Sequence, residues 1–350
     1  MTEPLEIKNI FSLRGFNTFD IEAKTQYFIN LVSQSDYQAA TKSKLVRENP
    51  YFILGGGSNV ILPDYYDGVV LHPANSEIKL LEQKDGHLYV EAGAGTRWLD
   101  FVNHCIDNGW YGLENLASIP GCVGAAPVQN VGAYGKEAKD VIHRVHCHDM
   151  ADGSQRWIEA AECGFGYRWS NFKGEWKNRY IIDRVVFKLE EKFNPDVTYK
   201  ALAQALADRN IDHPTARQLA DTVTALRDSK LPNPSEIGSA GSFFKNPIVD
   251  SDVFETLRKA NPGIVAFSAG DGRQKLAAGW LIEQCGWKGR TLGRVGVYEK
   301  QALVLVNRGG CTASDVRQLA DAIIADVRTR FGVELECEAI FVNSEKSNPH

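Results

Sequence analysis

The stretch Ile119-Pro-Gly-Cys-Val-Gly-Ala-Ala-Pro-Val-Gln-Asn-Val-Gly-Ala-Tyr-Gly135 is rich in glycine and alanine and carries no charge. Glycine lacks a Cβ and tolerates positive φ, so the backbone here can approach a flat or anionic group closely. A surface loop of this length is the plain alternative, but Val123, Ala125, Ala126, Val128 and Val131 make it too apolar for water. A second small-residue segment, Phe52-Ile-Leu-Gly-Gly-Gly-Ser-Asn-Val-Ile-Leu62, lies upstream. Two such segments point to one large cofactor held in two places.

The upstream segment reads as strand, glycine turn, strand, over residues 51–54 and 59–62. It is not the dinucleotide fingerprint: the third glycine of Gly-x-Gly-x-x-Gly would fall on Val60, and no helix pattern follows. A nest of backbone N–H groups for a diphosphate and a glycine hairpin both remain open on this segment alone.

Further strands are expected at 69–71, 88–92, 142–148 and 180–189. One helix is expected after an N-cap at Thr96, with Leu99, Val102 and Ile106 on one face and a stop at Gly109. Another is expected after Ser314, with Val316, Leu319, Ile323, Val327 and Phe331 as its apolar stripe and Gly332 as its end. Strands and helices mix without strict alternation, which predicts an α+β fold. Composition shifts around 194–213, and Lys230-Leu-Pro-Asn-Pro-Ser235 reads as a linker. No internal repeat is visible.

The formal charge of −5 offers no basic footprint, so nucleic acid is not an expected partner. Seven cysteines without a Cys-x-x-Cys pair suit neither a disulfide framework nor a zinc ribbon. The opening residues resemble no secretory signal, and no apolar run approaches the roughly 20 residues of a membrane span. The expectation is a reduced cytoplasmic protein with no membrane partner and an open oligomeric state.

Arg168 stands among glycines and aromatics in Cys163-Gly-Phe-Gly-Tyr-Arg168-Trp, which favours a positioned ligand for carboxylate or phosphate over a solvated charge. Ser242 follows Gly241 and precedes Phe243-Phe244. That is not a nucleophile elbow, but a proton-donating serine stays open. His143, His146, Cys147 and His148 fall on two faces of a strand, so no metal is expected there. Glu334, Glu336 and Glu338 alternate as on a strand face. Spacing does not say whether they are solvated or include a catalytic acid.

Together these motifs resemble the UDP-N-acetylenolpyruvoylglucosamine reductase (MurB) family. The resemblance rests on Gly-Gly-Gly-Ser-Asn at 55–59, Gly112-Leu-Glu-Asn-Leu116, Ile119–Gly124, Gln129–Gly135 and Phe165-Gly-Tyr-Arg168. It continues through Gly241-Ser-Phe-Phe-Lys-Asn-Pro247 and Lys275–Glu283, and runs from about Asn17 to Glu338. The glycine loops also fit other flavoproteins of the vanillyl-alcohol-oxidase type, which keeps an FAD-dependent oxidase as an alternative. Val197-Thr-Tyr199-Lys is similar to the longer-loop subclass, in which a tyrosine folds over substrate.

The resemblance implies a two-part FAD-binding unit of the vanillyl-alcohol-oxidase type, at 1–72 and 73–213, and a C-terminal α+β substrate domain at 228–345. It implies NADPH-dependent reduction of UDP-N-acetylglucosamine enolpyruvate to UDP-N-acetylmuramate through bound FAD, in peptidoglycan precursor synthesis. It places FAD against Gly55, Gly56, Gly57, Ser58, Asn59, Pro120, Gly121, Gly124, Ala125, Gln129, Asn130, Gly132 and Ala133. Arg168, Ser242 and Glu338 match the catalytic residues, and Tyr199, Lys230 and Asn246 match those that hold the substrate diphosphate. The family has proline before its glutamate where this chain has Cys337. That change is expected to loosen the backbone and leaves Glu336 as the neighbouring candidate.

Overall fold

The computed structural model describes residues 5–343; positions 1–4 of the first expected unit and 344–345 of the last lie outside them. Its first sheet carries, in spatial order, the strands Ile7–Ser12, Lys24–Leu31, Tyr65–Pro73 and Tyr51–Ile53. The first pair is antiparallel and the other two pairings are parallel. A parallel neighbour needs a crossover, and the helix Gln34–Lys42 lies on that path, started by a capping box between Ser33 and Asp36.

The strand–turn–strand reading of 51–62 holds, and of the two forms left open for it the hairpin is excluded. Tyr51–Ile53 stays in the first sheet, whereas the next strand, Val60–Ile61, pairs in parallel with Ile340–Phe341 near the other end of the chain. Parallel partners on different elements draw the two arms apart, so the glycine segment is a bridge between sheets and not a hairpin.

The second sheet is antiparallel throughout, in the order Gln155–Glu159, Ile142–Asp149, Tyr180–Glu190, His87–Gly93, Ile78–Lys84. Helix Trp98–Asp107 packs its buried residues Trp98, Phe101, Val102, Cys105 and Ile106 into the core beneath that sheet. Its N-cap is Arg97 and not Thr96. The backbone at 96–97 pairs with the glycine–alanine segment instead: Trp98 N–H donates to Gly121 O at 3.0 Å and Val123 N–H to Thr96 O at 2.9 Å. That pairing starts the helix one residue later and leaves Thr96 no capping role.

The C-terminal part combines an antiparallel sheet (Ser239–Ser242, Val304–Asn307, Val295–Val297, Thr291–Leu292), a three-stranded sheet and the helix Ala313–Phe331. All five stripe residues of that helix are buried, and Gly332 closes it at φ +66. Its cap is Thr312 rather than Ser314, because Asp315 lies three residues after Thr312 and completes a capping box, whereas Ser314 is followed at that distance by Arg317. One hydrophobic core joins Phe19, Phe28 and Ile61 to Phe243, Phe244, Leu281 and Ile323, so the first and last parts of the chain fold against each other. Among the described residues no helix is long and apolar enough to cross a membrane.

Candidate active site

A cleft of ≈580 Å³ opens between the glycine bridge and the second sheet, a size usual for ligand sites. Gly55, Gly56, Gly57, Ser58, Asn59, Gly124, Ala125 and Gln129 line it. The 119–135 segment forms its wall as a compact run: a turn at Val123–Ala125, a short helix Ala126–Gln129, and a small hairpin of Gly132–Ala133 with Lys136–Glu137. A Cβ on Gly56 would stand 2.7 Å from Gly121 Cα. The glycines therefore first let the two loops press against one another, and only then leave room for a ligand.

Among the described residues, the amides of Gly57, Ser58 and Asn59 donate to no protein acceptor. Backbone donors left without partners beside a cleft need an external acceptor, and successive ones suit a diphosphate. That donor set fits FAD. The remaining residues expected at the cofactor, Pro120, Gly121, Asn130, Gly132 and Ala133, belong to the same wall segment. Pro120 O accepts from Ser58 Oγ at 3.2 Å. Asn130, fully buried in the left-handed region at φ +42, donates to Gly166 O at 2.9 Å and accepts from Lys139 N–H at 3.0 Å. Gly132 gives its carbonyl to Arg168 Nη2 at 2.6 Å, beside Ala133 in the hairpin.

Arg168 sits at φ +52, a region a non-glycine residue adopts at a cost. The turn that bridges Gly166 to Trp169 holds it there. Its Nε lies 3.0 Å from Glu338 Oε1, with both side chains largely shielded. Burial pushes the Glu338 carboxyl up from its ordinary pKa, opposed by the charges of Arg168, Lys173 and Lys245.

The three alternating glutamates are not on a strand, and their surroundings differ. Glu334 pairs with Arg328 in the open, and Glu336 is exposed on Lys245 at 2.5 Å. Glu338 turns inward because its N–H bonds Phe243 O at 2.8 Å and its carbonyl accepts from Asn59 Nδ2 at 3.1 Å. The backbone at this point is tied to the Phe243–Lys245 segment: Cys337 bridges Phe244, and Lys245 N–H donates to Glu336 O at 2.9 Å.

Ser242 ends the strand Ser239–Ser242 and is exposed, directly before the Phe243 that anchors Glu338. No hydrogen bond joins its hydroxyl to Arg168 or Glu338 among the described residues. Tyr199 is exposed and meets Tyr134 edge-on at 5.3 Å. Lys230 is exposed just past the helix Ala216–Asp228. Asn246 Oδ1 accepts from Ala278 N–H at 2.9 Å. No hydrogen bond joins Tyr199, Lys230 and Asn246 to one another among the described residues.

The fold adds groups that sequence reasoning missed. Arg227 donates to Ser118 O at 3.1 Å and interacts electrostatically with Tyr134 and Arg168. Its signal was one helical turn of spacing from Lys230. Lys173, five residues after Arg168, donates to Gln129 Oε1 at 3.0 Å inside the cleft wall. Asp183 was invisible as well. It joins His146 (Nδ1 to Oδ1, 2.5 Å) and His148 (Nε2 to Oδ2, 3.1 Å) in one buried triad. The ligand atoms of the three lie within 4.8 Å of one another, a grouping that could also hold a metal ion. Arg184 Nε lies 3.4 Å from the same carboxylate and completes the charge balance. The histidines do share a face, as the alternation implied, and the aspartate on the neighbouring strand joins them in one buried hydrogen-bonded cluster.

Residues 25–159 match the family model described as an FAD binding domain, and residues 233–342 match that of the UDP-N-acetylenolpyruvoylglucosamine reductase C-terminal domain. A UDP-N-acetylenolpyruvoylglucosamine reductase of Burkholderia multivorans is 46% identical over 330 residues, covering 94% of this chain and 95% of that one. One of Burkholderia vietnamiensis is 45% identical over 339 residues, with 96% and 97% covered. The crystal structure of the reductase from Thermus caldophilus superposes with a TM-score of 0.66 at 24% identity, covering 97% of this chain and 99% of that chain.

Proposed function

The chain belongs to the UDP-N-acetylenolpyruvoylglucosamine reductase family, and on that premise we propose how its own side chains carry out the reaction. It is an FAD-dependent oxidoreductase that reduces the enolpyruvyl ether of UDP-N-acetylglucosamine in peptidoglycan precursor synthesis. The glycine loop at 55–59 and the wall formed by Gly124, Ala125 and Gln129 would hold FAD in the cleft, where it would supply the hydride for the enolpyruvyl β-carbon. NADPH is the reductant we assign, in keeping with the family.

Hydride arrival pushes negative charge onto the substrate carboxylate. Donors held ready for that charge lower the barrier, because they need no reorganisation when it develops. Arg168 is such a donor: its turn, the Gly132 carbonyl and Glu338 fix its guanidinium before substrate enters. Glu338, buried and raised in pKa, offers a carboxyl proton to the same oxygen atoms. Ser242 delivers the proton that the α-carbon takes up; a carbon-centred enolate is basic enough to accept it from a hydroxyl. Tyr199, Lys230 and Asn246 hold the substrate diphosphate, assisted by Arg227.

The observation that carries this reading is the shielded Arg168–Glu338 pair beside a cleft whose glycine loop presents unpaired amides. An anaerobic visible spectrum of the purified protein tests it. The flavin band should bleach with NADPH and return on adding enolpyruvyl-UDP-N-acetylglucosamine. A band that bleaches but ignores that substrate overturns the assignment.

A further inference from the structure

Two lysines from different segments enter the cleft wall next to the Arg168–Glu338 pair, and their surroundings differ. Lys245 is neutralised by Glu336 at 2.5 Å. Lys173 is half-buried, donates to the neutral Gln129 amide oxygen at 3.0 Å, and lies 3.4 Å from the Arg168 carbonyl oxygen. Among the described residues it has no carboxylate within ion-pair distance. An ammonium has three donors, so one remains for the cleft. Burial and the neighbouring Lys245 charge push its pKa down, opposed by Glu338 and Glu336. A lysine kept in that position without a counter-ion is an unsatisfied positive charge facing a ligand site.

The reaction says which part of the ligand it faces. Hydride passes to a carbon held beside Arg168 and Glu338, and reacting atoms must approach to about 3–3.5 Å. On that reading the reacting ring of the cofactor would lie at the end of the cleft next to Arg168, the residue whose own carbonyl is within reach of Lys173. Hydride uptake brings two electrons and one proton to that ring, a net gain of one negative charge. A fixed cation beside it favours that change.

We propose that Lys173 is the cation that tunes the bound flavin, favouring its reduced form through the charge it holds beside the reacting ring. This rests on the FAD-dependent reading of the cleft. It makes Lys173 a tuning residue of the cofactor and gives it no proton to transfer.

The test is the midpoint potential of the bound flavin, measured anaerobically against reference dyes, together with the dissociation constant for sulfite, which adds to the ring and reports on positive charge near it. Lys173→Gln is expected to lose at least tenfold in preference for the reduced flavin, about 30 mV for a two-electron couple, and to bind sulfite about tenfold more weakly. Lys173→Arg, which keeps the charge, should stay at the wild-type potential. So should Lys177→Gln, which removes the same net charge from an exposed position in the cleft wall. An unchanged potential in Lys173→Gln overturns the proposal, and so does an equal shift in Lys177→Gln. Should Lys173→Gln retain no flavin, Lys173→Arg decides: a wild-type potential supports the role and a fallen one removes it. A wild-type protein that binds no flavin fails the FAD reading itself and not the part Lys173 plays in it.

Discussion

Asn59 of the glycine loop donates its side-chain amide to the carbonyl of Glu338 at 3.1 Å, across 279 residues of sequence. The Ile340 N–H returns to the Asn59 carbonyl at 3.0 Å. The glycine loop and the segment carrying the buried acid are thus one mechanical unit, tied by one side-chain and one backbone hydrogen bond.

That coupling separates the two neighbouring glutamates. Glu338→Gln should slow flavin reoxidation by substrate about a hundredfold or more, in the range for loss of a general acid. Glu336→Gln, at an exposed position, should stay within about twofold. The Glu338 carboxyl is raised in pKa, so its proton is present below that value and lost as pH rises through it. The second half-reaction of the wild type should fall along that alkaline limb, and Glu338→Gln should flatten it. Stopped-flow pH profiles decide.

Arg168→Lys should leave flavin reduction by NADPH near wild type and slow the transfer to substrate by about 10²–10³, the scale for losing a preorganised donor. Lysine keeps the charge but cannot reach the Gly132 carbonyl and Glu338 together as the planar fork does. Single-turnover traces of the two half-reactions separate the effects.

Ser242→Ala should affect the same half-reaction alone. The residue is exposed, so its loss should leave the melting temperature unchanged. A variant that turns over normally would remove the serine from the proton path.

Gly56→Ala places a methyl 2.7 Å from the Gly121 backbone. Neither loop can yield without moving the other, and overpacking of this kind costs about 1–3 kcal/mol. Reduced FAD content and a lowered melting temperature are expected, read from the flavin absorbance and a thermal scan.

Asp183 lies well inside the fold, where burial raises its pKa but the His146 and His148 hydrogen bonds outweigh that and hold it down to about 2. A depressed carboxylate stabilises the fold above its unfolded pKa of about 3.9 and loses that contribution as pH falls toward the folded value. Asp183→Asn should therefore lower the denaturation midpoint at neutral pH, and the gap from wild type should narrow below about pH 4.

Local chemistry in the sequence settled much of this protein. The amphipathic stripe from Val316 to Phe331 and its Gly332 stop were legible because helix period and left-handed glycine are short-range properties. The glycine-rich segments and the isolated arginine were legible for the same reason, and a family resemblance attached roles to them. The fold alone decided where those segments meet. Whether the 51–62 segment forms a hairpin stayed open in the sequence because local pattern cannot report that Val60–Ile61 pairs with Ile340–Phe341. The caps moved to Arg97 and Thr312 because backbone partners and a completed box outcompeted the nearer hydroxyls. Glu338 was separated from Glu336 by a turn of the backbone against Phe243, and Asp183 met its histidines across strands. Residue type and periodicity are encoded within a few positions of the chain. Which carboxylate is buried, and beside which cation, depends on contacts between distant segments, and those exist only once the sheets have packed.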